Sequence, residues 1–525
     1  MLDVLIQNAT VVDGTGSPPF KADVAVADGR IDAVAPQIDG EAARTIDAAD
    51  LHLAPGFIDA HTHSDLPLLA DPKAQSKIRQ GVTTEVIGNC GSSPAPLSGR
   101  AVEEARASVS LLELELTWQS FGEYLDRLRG TAVNVVPQVG HNTVRGSAMG
   151  YDDAKPTPEQ QQQMEQVVAE AMDQGARGLS TGLYYPPGFY ADTEEVIRLA
   201  RVAARRGGFY SSHIRSESDG LLDSVREAAE IGEKAEIQVE IAHLKASGYR
   251  NWDDADALID TLEEARDSGV LLGCDQYPYN ASSTWLPSIL PYWAQAGGGK
   301  EIAARLSEPE TRARLRADFA ENRADWDNRS GVRDWSGILI AGCSARPEVQ
   351  GKTVAEVAEI DAKDPFDTAL DLMVLAESQV SCVWFSQSEE VVKKLMRLPF
   401  VAVGSDASSL SPEGVLGRRN THPRSYGTFA RVLGKYVRDE KVISLPEATR
   451  KMTSLPAERF GLTGRGIVRP SACADLVLFD SEAVTDRATF TDPHQYASGI
   501  PFVIVNGRVV IDQDEHTGEL PGEIL

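Results

Sequence analysis

A disulfide framework is the first thing this sequence lacks. Its five cysteines, Cys90, Cys274, Cys343, Cys382 and Cys473, are odd in number, widely scattered and without a C-x-x-C pair. That is the usage of a chain kept in a reducing compartment, so a cytoplasmic location is expected. Also missing is any apolar run near the roughly 18 residues that a membrane helix needs. The opening Met1-Leu2-Asp3-Val4-Leu5-Ile6 puts no basic segment ahead of an apolar stretch, so neither export nor membrane spanning is expected. Basic charge is scarce: 51 Lys and Arg stand against 78 Asp and Glu, a formal net charge of −27. Such a surface repels phosphate backbones and anionic lipid, which removes nucleic acid and membranes from the expected partners.

What is present is the composition of a globular protein, with 42% hydrophobic and 25% charged residues, and with 44 Gly and 28 Pro to supply turns. A chain of 525 residues suits one large domain plus a small one. The first 50 residues alternate short β-like runs (Val4 to Ile6, Thr10 to Val12, Asp23 to Val26, Arg30 to Val34) with Asp13-Gly14 and Asp28-Gly29 turn signals. The tail repeats the style in Ala474 to Phe479, Phe502 to Val505 and Arg508 to Ile511 around Asn506-Gly507, so both ends are expected to build one small β-subdomain.

Between them, β-branched apolar runs alternate with helical periodicity, the signature of parallel strands joined by crossover helices. Eight runs qualify: Ala54 to His61, Val82 to Gly88, Val133 to Gly140, Gly178 to Leu183, Gly208 to His213, Gln238 to His243, Val270 to Gln276 and Phe400 to Ser405. Helices are expected over Pro158 to Gln174, capped by Thr157, over Thr193 to Arg206 and over Trp252 to Asp267. The expected fold is therefore α/β, a (β/α)8 TIM barrel over 56–464 with a small β-sandwich subdomain from residues 1–55 and 465–525. From about Ala281 to Ser344 the rhythm breaks into a Gly297-Gly298-Gly299 run, several aromatics and a charged helical stretch, Glu301 to Arg323. This stretch reads as an insertion, either a lid or plain packing.

The chemistry gathers at the strand ends. His61 and His63 are two apart after an apolar run, so both imidazoles point the same way. Cys90, His213, His243 and Asp406 fall at the C-terminal ends of four other expected strands, the end where a barrel collects its catalytic groups. Imidazole, thiolate and carboxylate together suit zinc rather than calcium or magnesium. Six ligands exceed the four that one tetrahedral zinc takes, so a second metal or other roles remain open. Asp406 is assigned as general acid/base, because a carboxylate beside the metal can accept a proton from attacking water and return it to a leaving nitrogen.

These residues resemble the amidohydrolase superfamily, and within it the N-acyl-D-amino-acid deacylases (D-aminoacylases). The marks are GFIDAHTHSD (56 to 65), QGVTTEVIGNCG (80 to 91), GLSTGLYYPPGFYADTEEV (178 to 196), SSHIRSE (211 to 217), IAHLKASG (241 to 248), DQYPY (275 to 279), GSDAS (404 to 408) and HPRSYGTF (422 to 429). The resemblance covers most of the chain. It implies a tight zinc on Cys90, His213 and His243, and a weaker or vacant second position on His61, His63 and Asp406. It implies a small-molecule N-acyl-D-amino acid as substrate, its carboxylate bound by Lys245, Tyr277 and Arg424. It also implies a flap-like insertion over the site and no carboxylated bridging lysine, and Gly178 to Leu183 indeed contains no lysine. The competing expectations are a cyclic amidohydrolase (hydantoinase- or dihydroorotase-like) or deaminase on the same barrel, and a noncatalytic scaffold. A carboxylate pocket disfavours the first, and a complete ligand set disfavours the second.

Overall fold

The computed structural model describes residues 1–321 and 335–525. Eight parallel strands form its centre, Phe57–Asp59, Val82–Ile87, Asn134–Gly140, Gly178–Gly182, Phe209–His213, Val239–Ile241, Leu272–Gln276 and Val401–Val403. They are paired in sequence order along one sheet, and each lies within one of the eight apolar runs. The eighth strand returns to the first: Ala60 N donates to Val403 O at 3.4 Å and Asp406 N to His61 O at 2.8 Å, with a parallel bridge between Thr62 and Ala407. Barrel closure thus runs through the segments that carry His61, His63 and Asp406. At the opposite end the interior is filled by Ile58, Val86, Val136, Phe209 and Ala402, with Phe460 and Leu462 packed on them.

Crossover helices cover the strands because each has one apolar stripe. Pro158–Asp173 buries Met164, Val168, Ala171 and Met172, and Thr157 starts it with a capping box to Gln160. Thr193–Ala204 buries Val196, Ile197, Leu199, Ala200 and Ala203 behind an Asp192 cap. The third expected helix begins later than Trp252: residues Tyr249–Asp254 form a 3-10 turn, and the α-helix runs Ala255–Asp267.

Both ends of the chain enter one nine-stranded sheet. Leu2–Val11 is a single strand where the sequence suggests two, because Asn8 sits at φ 63° and the register slips between Ile6 and Ala9, a bulge inside a continuous strand. His52–Pro55 pairs antiparallel with Leu476–Phe479. Period two then divides the tail: Leu476 and Leu478 join Val4, Ile6 and Val24 in the sandwiched core of the subdomain, whereas Val477 and Phe479 pack on the barrel.

Between the seventh and eighth barrel strands lies a separate antiparallel sheet of Ser282–Trp285, Val380–Trp384 and Ile338–Cys343, with Val380–Trp384 in the middle. Its own core includes Leu286, Leu306, Leu315, Ile340, Phe366 and Met373. The middle strand lies beyond the expected end at Ser344, so the excursion is longer than the sequence rhythm suggests. The charged stretch from Glu301 is two helices, Gly299–Leu306 and Pro309–Ala320, parted where Pro309 opens the second. Asn322 and Arg323 of that stretch, with the rest of 322–334, lie outside the described residues. No helix among the described residues is long and apolar enough to cross a membrane.

Candidate metal centre

The strand ends bring all six expected ligands to the barrel mouth. Donor atoms of His61, His63, Cys90 and Asp406 lie within 4.8 Å of one another, and so do those of Cys90, His213 and His243. Cys90 belongs to both groups. Its Sγ is 3.4 Å from His61 Nε2 and 3.4 Å from His243 Nε2. His63 Nε2 is 3.1 Å and His61 Nε2 3.7 Å from Asp406 Oδ1.

Local backbone chemistry aims these groups. Cys90, His243 and Asp406 have φ of 52°, 37° and 51°, conformations that side-chain-bearing residues seldom adopt and that collect at functional sites. The Cys90 turn is held by the third and fourth strands. Gly91 N donates to Ser180 Oγ at 3.1 Å and Gln138 Nε2 to Asn89 Oδ1 at 2.8 Å. A Cβ on Gly182 would stand 2.1 Å from the Cys90 carbonyl oxygen, so only glycine at the end of the fourth strand lets this turn reach the centre. Asp406 is placed by a buried lock. Lys77 Nζ donates to Asp59 Oδ2 at 2.7 Å and to Ser405 Oγ, and Ser405 N donates to Asp59 Oδ1 at 2.8 Å.

The imidazoles use one nitrogen outward and one inward. His61 Nδ1 is 3.4 Å from Asp275 Oδ2, and His243 Nδ1 is 3.0 Å from Glu217 Oε1. Their Nε2 atoms face Cys90; for His61 this is the carboxylate–histidine arrangement that fixes the tautomer of a metal ligand, whereas His243 Nδ1 also meets Lys245 Nζ at 2.8 Å. Burial drops His61 to about 3 and also lowers His243, so both rings are neutral and able to donate a lone pair. Burial, reinforced by Asp406 and Glu217, holds the Cys90 thiol well above its ordinary value. Only a nearby cation would turn that sulfur into thiolate, so the donor chemistry fits a divalent metal and fits an empty core poorly.

Two residues stay charged against their burial. Asp406 is pushed upward by burial, but the Arg424 guanidinium foremost, with the hydrogen bond from His63, outweighs it and holds its carboxyl well below the usual range. Glu217 behaves alike, with the Lys245 ammonium foremost and a hydrogen bond from His243 helping to overcome desolvation. Arg424 Nη1 lies 2.8 Å from Asp406 Oδ2, and Lys245 Nζ pairs with Glu217. Lys245 and Arg424 line a cavity of about 760 Å³ together with Cys90, His213, His243 and Asp406. Tyr277 lies under that wall: its ring is 4.7 Å from the Arg424 guanidinium carbon and 5.6 Å from Lys245 Nζ, and its hydroxyl accepts from Gln387 Nε2 at 2.7 Å.

A match to the amidohydrolase family spans residues 44–275 and 301–511. The chain belongs to the amidohydrolase family. Relatives of this amidohydrolase include two proteins of Alcaligenes xylosoxydans xylosoxydans. One is an N-acyl-D-aspartate deacylase, 36% identical over all of this chain and 95% of its own length. The other is an N-acyl-D-glutamate deacylase, 35% identical over all of this chain and 96% of its own length. Among solved structures, the N-acyl-D-glutamate deacylase of Bordetella bronchiseptica, complexed with zinc and a phosphonate mimic of the tetrahedral intermediate, superposes with a TM-score of 0.83 at 34% identity. That match covers 100% of this chain and 99% of the other.

Sequence reasoning on this amidohydrolase missed Glu217, Asp275, Asp59 and Lys77. Glu217 carried a signal, standing four residues after His213 in SSHIRSE, and Asp275 opens DQYPY at the end of the seventh run. Lys77 carried none, because its partners Asp59 and Ser405 are brought to it only by barrel closure.

Proposed function

We propose that this amidohydrolase is a zinc-dependent deacylase that hydrolyses the amide bond of N-acyl-D-amino acids, releasing a carboxylate and the free D-amino acid. The observation that carries this reading is a single cavity that joins two sharing donor groups, an ionised carboxylate and two buried cations. Cys90, His213 and His243 would hold the tight zinc, a mixed thiolate and imidazole set of the kind zinc favours. His61, His63 and Asp406, with Cys90 between the two positions, would form a weaker second site. When bound, the cation supplies Lewis-acid polarisation of the scissile carbonyl and acidifies water.

The chain's own residues do the rest. Asp406, held ionised by Arg424 and the His63 hydrogen bond, accepts a proton from the attacking water and returns it to the leaving nitrogen. Lys245 and Arg424 take the substrate carboxylate, Arg424 as a planar fork and Lys245 as a point charge. Tyr277, kept neutral because burial raises its phenol, would back the same carboxylate site through its ring against Arg424 and Lys245. The D configuration rests on the names of the relatives. In this reading, 1–55 and 465–525 are the small subdomain and 56–464 the hydrolase barrel. The insertion, expected at about 281–344 and extended by the strand Val380–Trp384, covers the cavity, to whose wall it gives Ser283, Thr284 and Trp285.

A screen of N-acetyl and N-formyl amino acids of both hands, with metal analysis of the same sample, tests the reading. Turnover of D derivatives by zinc-loaded protein is expected. Hydrolysis of hydantoin or adenine without any action on N-acyl-D-amino acids would overturn it. For the carboxylate pocket, Arg424→Ala is expected to raise KM tenfold or more, since a charge-assisted contact to the ground state is lost. An unchanged KM sinks that role.

A further inference from the structure

The metal cavity has a larger neighbour. A second chamber of about 990 Å³ adjoins it, and His63, Ser92, Thr143, Tyr151, Trp285 and Ser408 line both. Most of the metal-site groups are confined to the first cavity. Lys245, Arg424, Glu217 and the buried ligands Cys90, His213 and His243 border the first cavity alone. The second chamber is walled by the helix Ala101–Ser110, which turns Ala101, Ala105 and Val109 toward it at intervals of four residues, and by Leu97, Trp118 and Leu416. Of its charged groups, Asp65, Glu104, Glu113, Arg418 and Arg419, Arg418 and Glu113 are paired with each other and Arg419 Nη2 donates to Ser344 Oγ at 2.8 Å.

Position then decides which part of a substrate belongs there. Asp406 has two faces: Oδ2 meets Arg424 and Oδ1 meets His63. A substrate whose carboxylate lies on Lys245 and Arg424, and whose amide carbon lies at the donor groups, directs its acyl substituent to the His63 side. We infer that the second chamber is the acyl-binding site, and that the substrate class is N-acyl-D-amino acids with medium to long apolar acyl chains rather than N-acetyl derivatives. This rests on the deacylase reading. An acetyl group puts one carbon beyond the carbonyl and leaves nearly all of the chamber unused, whereas pockets of 300 to about 1,000 Å³ are of the size that encloses a drug-sized ligand.

The test is a kcat/KM series on the zinc-loaded enzyme with acetyl, butyryl, hexanoyl and octanoyl derivatives of one D-amino acid. Full burial would add up to about fourfold per methylene, so the octanoyl compound is expected to exceed the acetyl compound by tenfold or more, chiefly through a lower KM. A flat or falling series in an enzyme that hydrolyses the acetyl compound overturns the chamber assignment and leaves the deacylase reading standing. No hydrolysis of any member removes both. As a second measurement, Ala105→Trp places an indole in the chamber and is expected to cut the octanoyl-to-acetyl ratio at least tenfold. The wild-type series does not depend on that variant folding. If the variant instead keeps this ratio and loses turnover only of N-acetyl amino acids with bulky D side chains, the chamber holds the side chain and the inference fails.

Discussion

Asp406→Asn is expected to lower kcat by about a thousandfold, within the 10²- to 10⁴-fold range of positioned acid/base groups, while the protein keeps the metal held by Cys90, His213 and His243. The substitution is nearly isosteric. An asparagine Oδ1 still faces His63, 3.1 Å away in the wild type, and the loop remains tied through Ser405 to Asp59 and Lys77. What disappears is the charge that Arg424 holds ionised and with it the ability to take a proton from water. Steady-state kinetics and metal analysis on one preparation check both halves. A rate within tenfold of wild type would take Asp406 out of the proton path, and metal loss in step with activity would make it a ligand first.

Cys90→Ala is expected to be at least as severe by a different route. The sulfur is the one atom common to both donor groups, so its removal weakens both positions together. Losing partners that merely orient a ligand costs about 10- to 100-fold in metal affinity, and losing the central ligand itself should cost a hundredfold or more. After dialysis the variant should hold less than about a tenth of the wild-type metal, with turnover reduced in proportion. Alanine fills nearly the same volume and meets the same positive φ, so circular dichroism should remain that of the folded protein. Full metal content with full activity would dissolve the proposed centre.

Much of this was legible from the chain alone, for physical reasons. Parallel barrel strands are buried on both faces, so they appear as continuous apolar runs, and every observed barrel strand sits inside such a run. The candidate ligands stand out because histidine, cysteine and aspartate at the ends of those runs are chemically conspicuous. The groups that orient them are not. Asp275, which contacts both His61 and His243, looks like any strand-terminal aspartate, and burial that lifts it to about 7 exists only after the barrel closes. The subdomain strand Leu2–Val11 looks like two runs in the sequence because a bulge at Asn8 interrupts alternation without ending the strand. The sheet between the seventh and eighth strands was obscured by distance, its middle strand being contributed last in sequence.

The pairing of His52–Pro55 with Leu476–Phe479 sets an order of events during synthesis. A ribosome exposes the early strand more than 400 residues before its neighbour on that side emerges, and until then one edge of the N-terminal sheet stands open to any extended chain nearby. Aggregation of fragments that stop short of the late strand is the expected consequence of a domain stitched from both ends of one polypeptide.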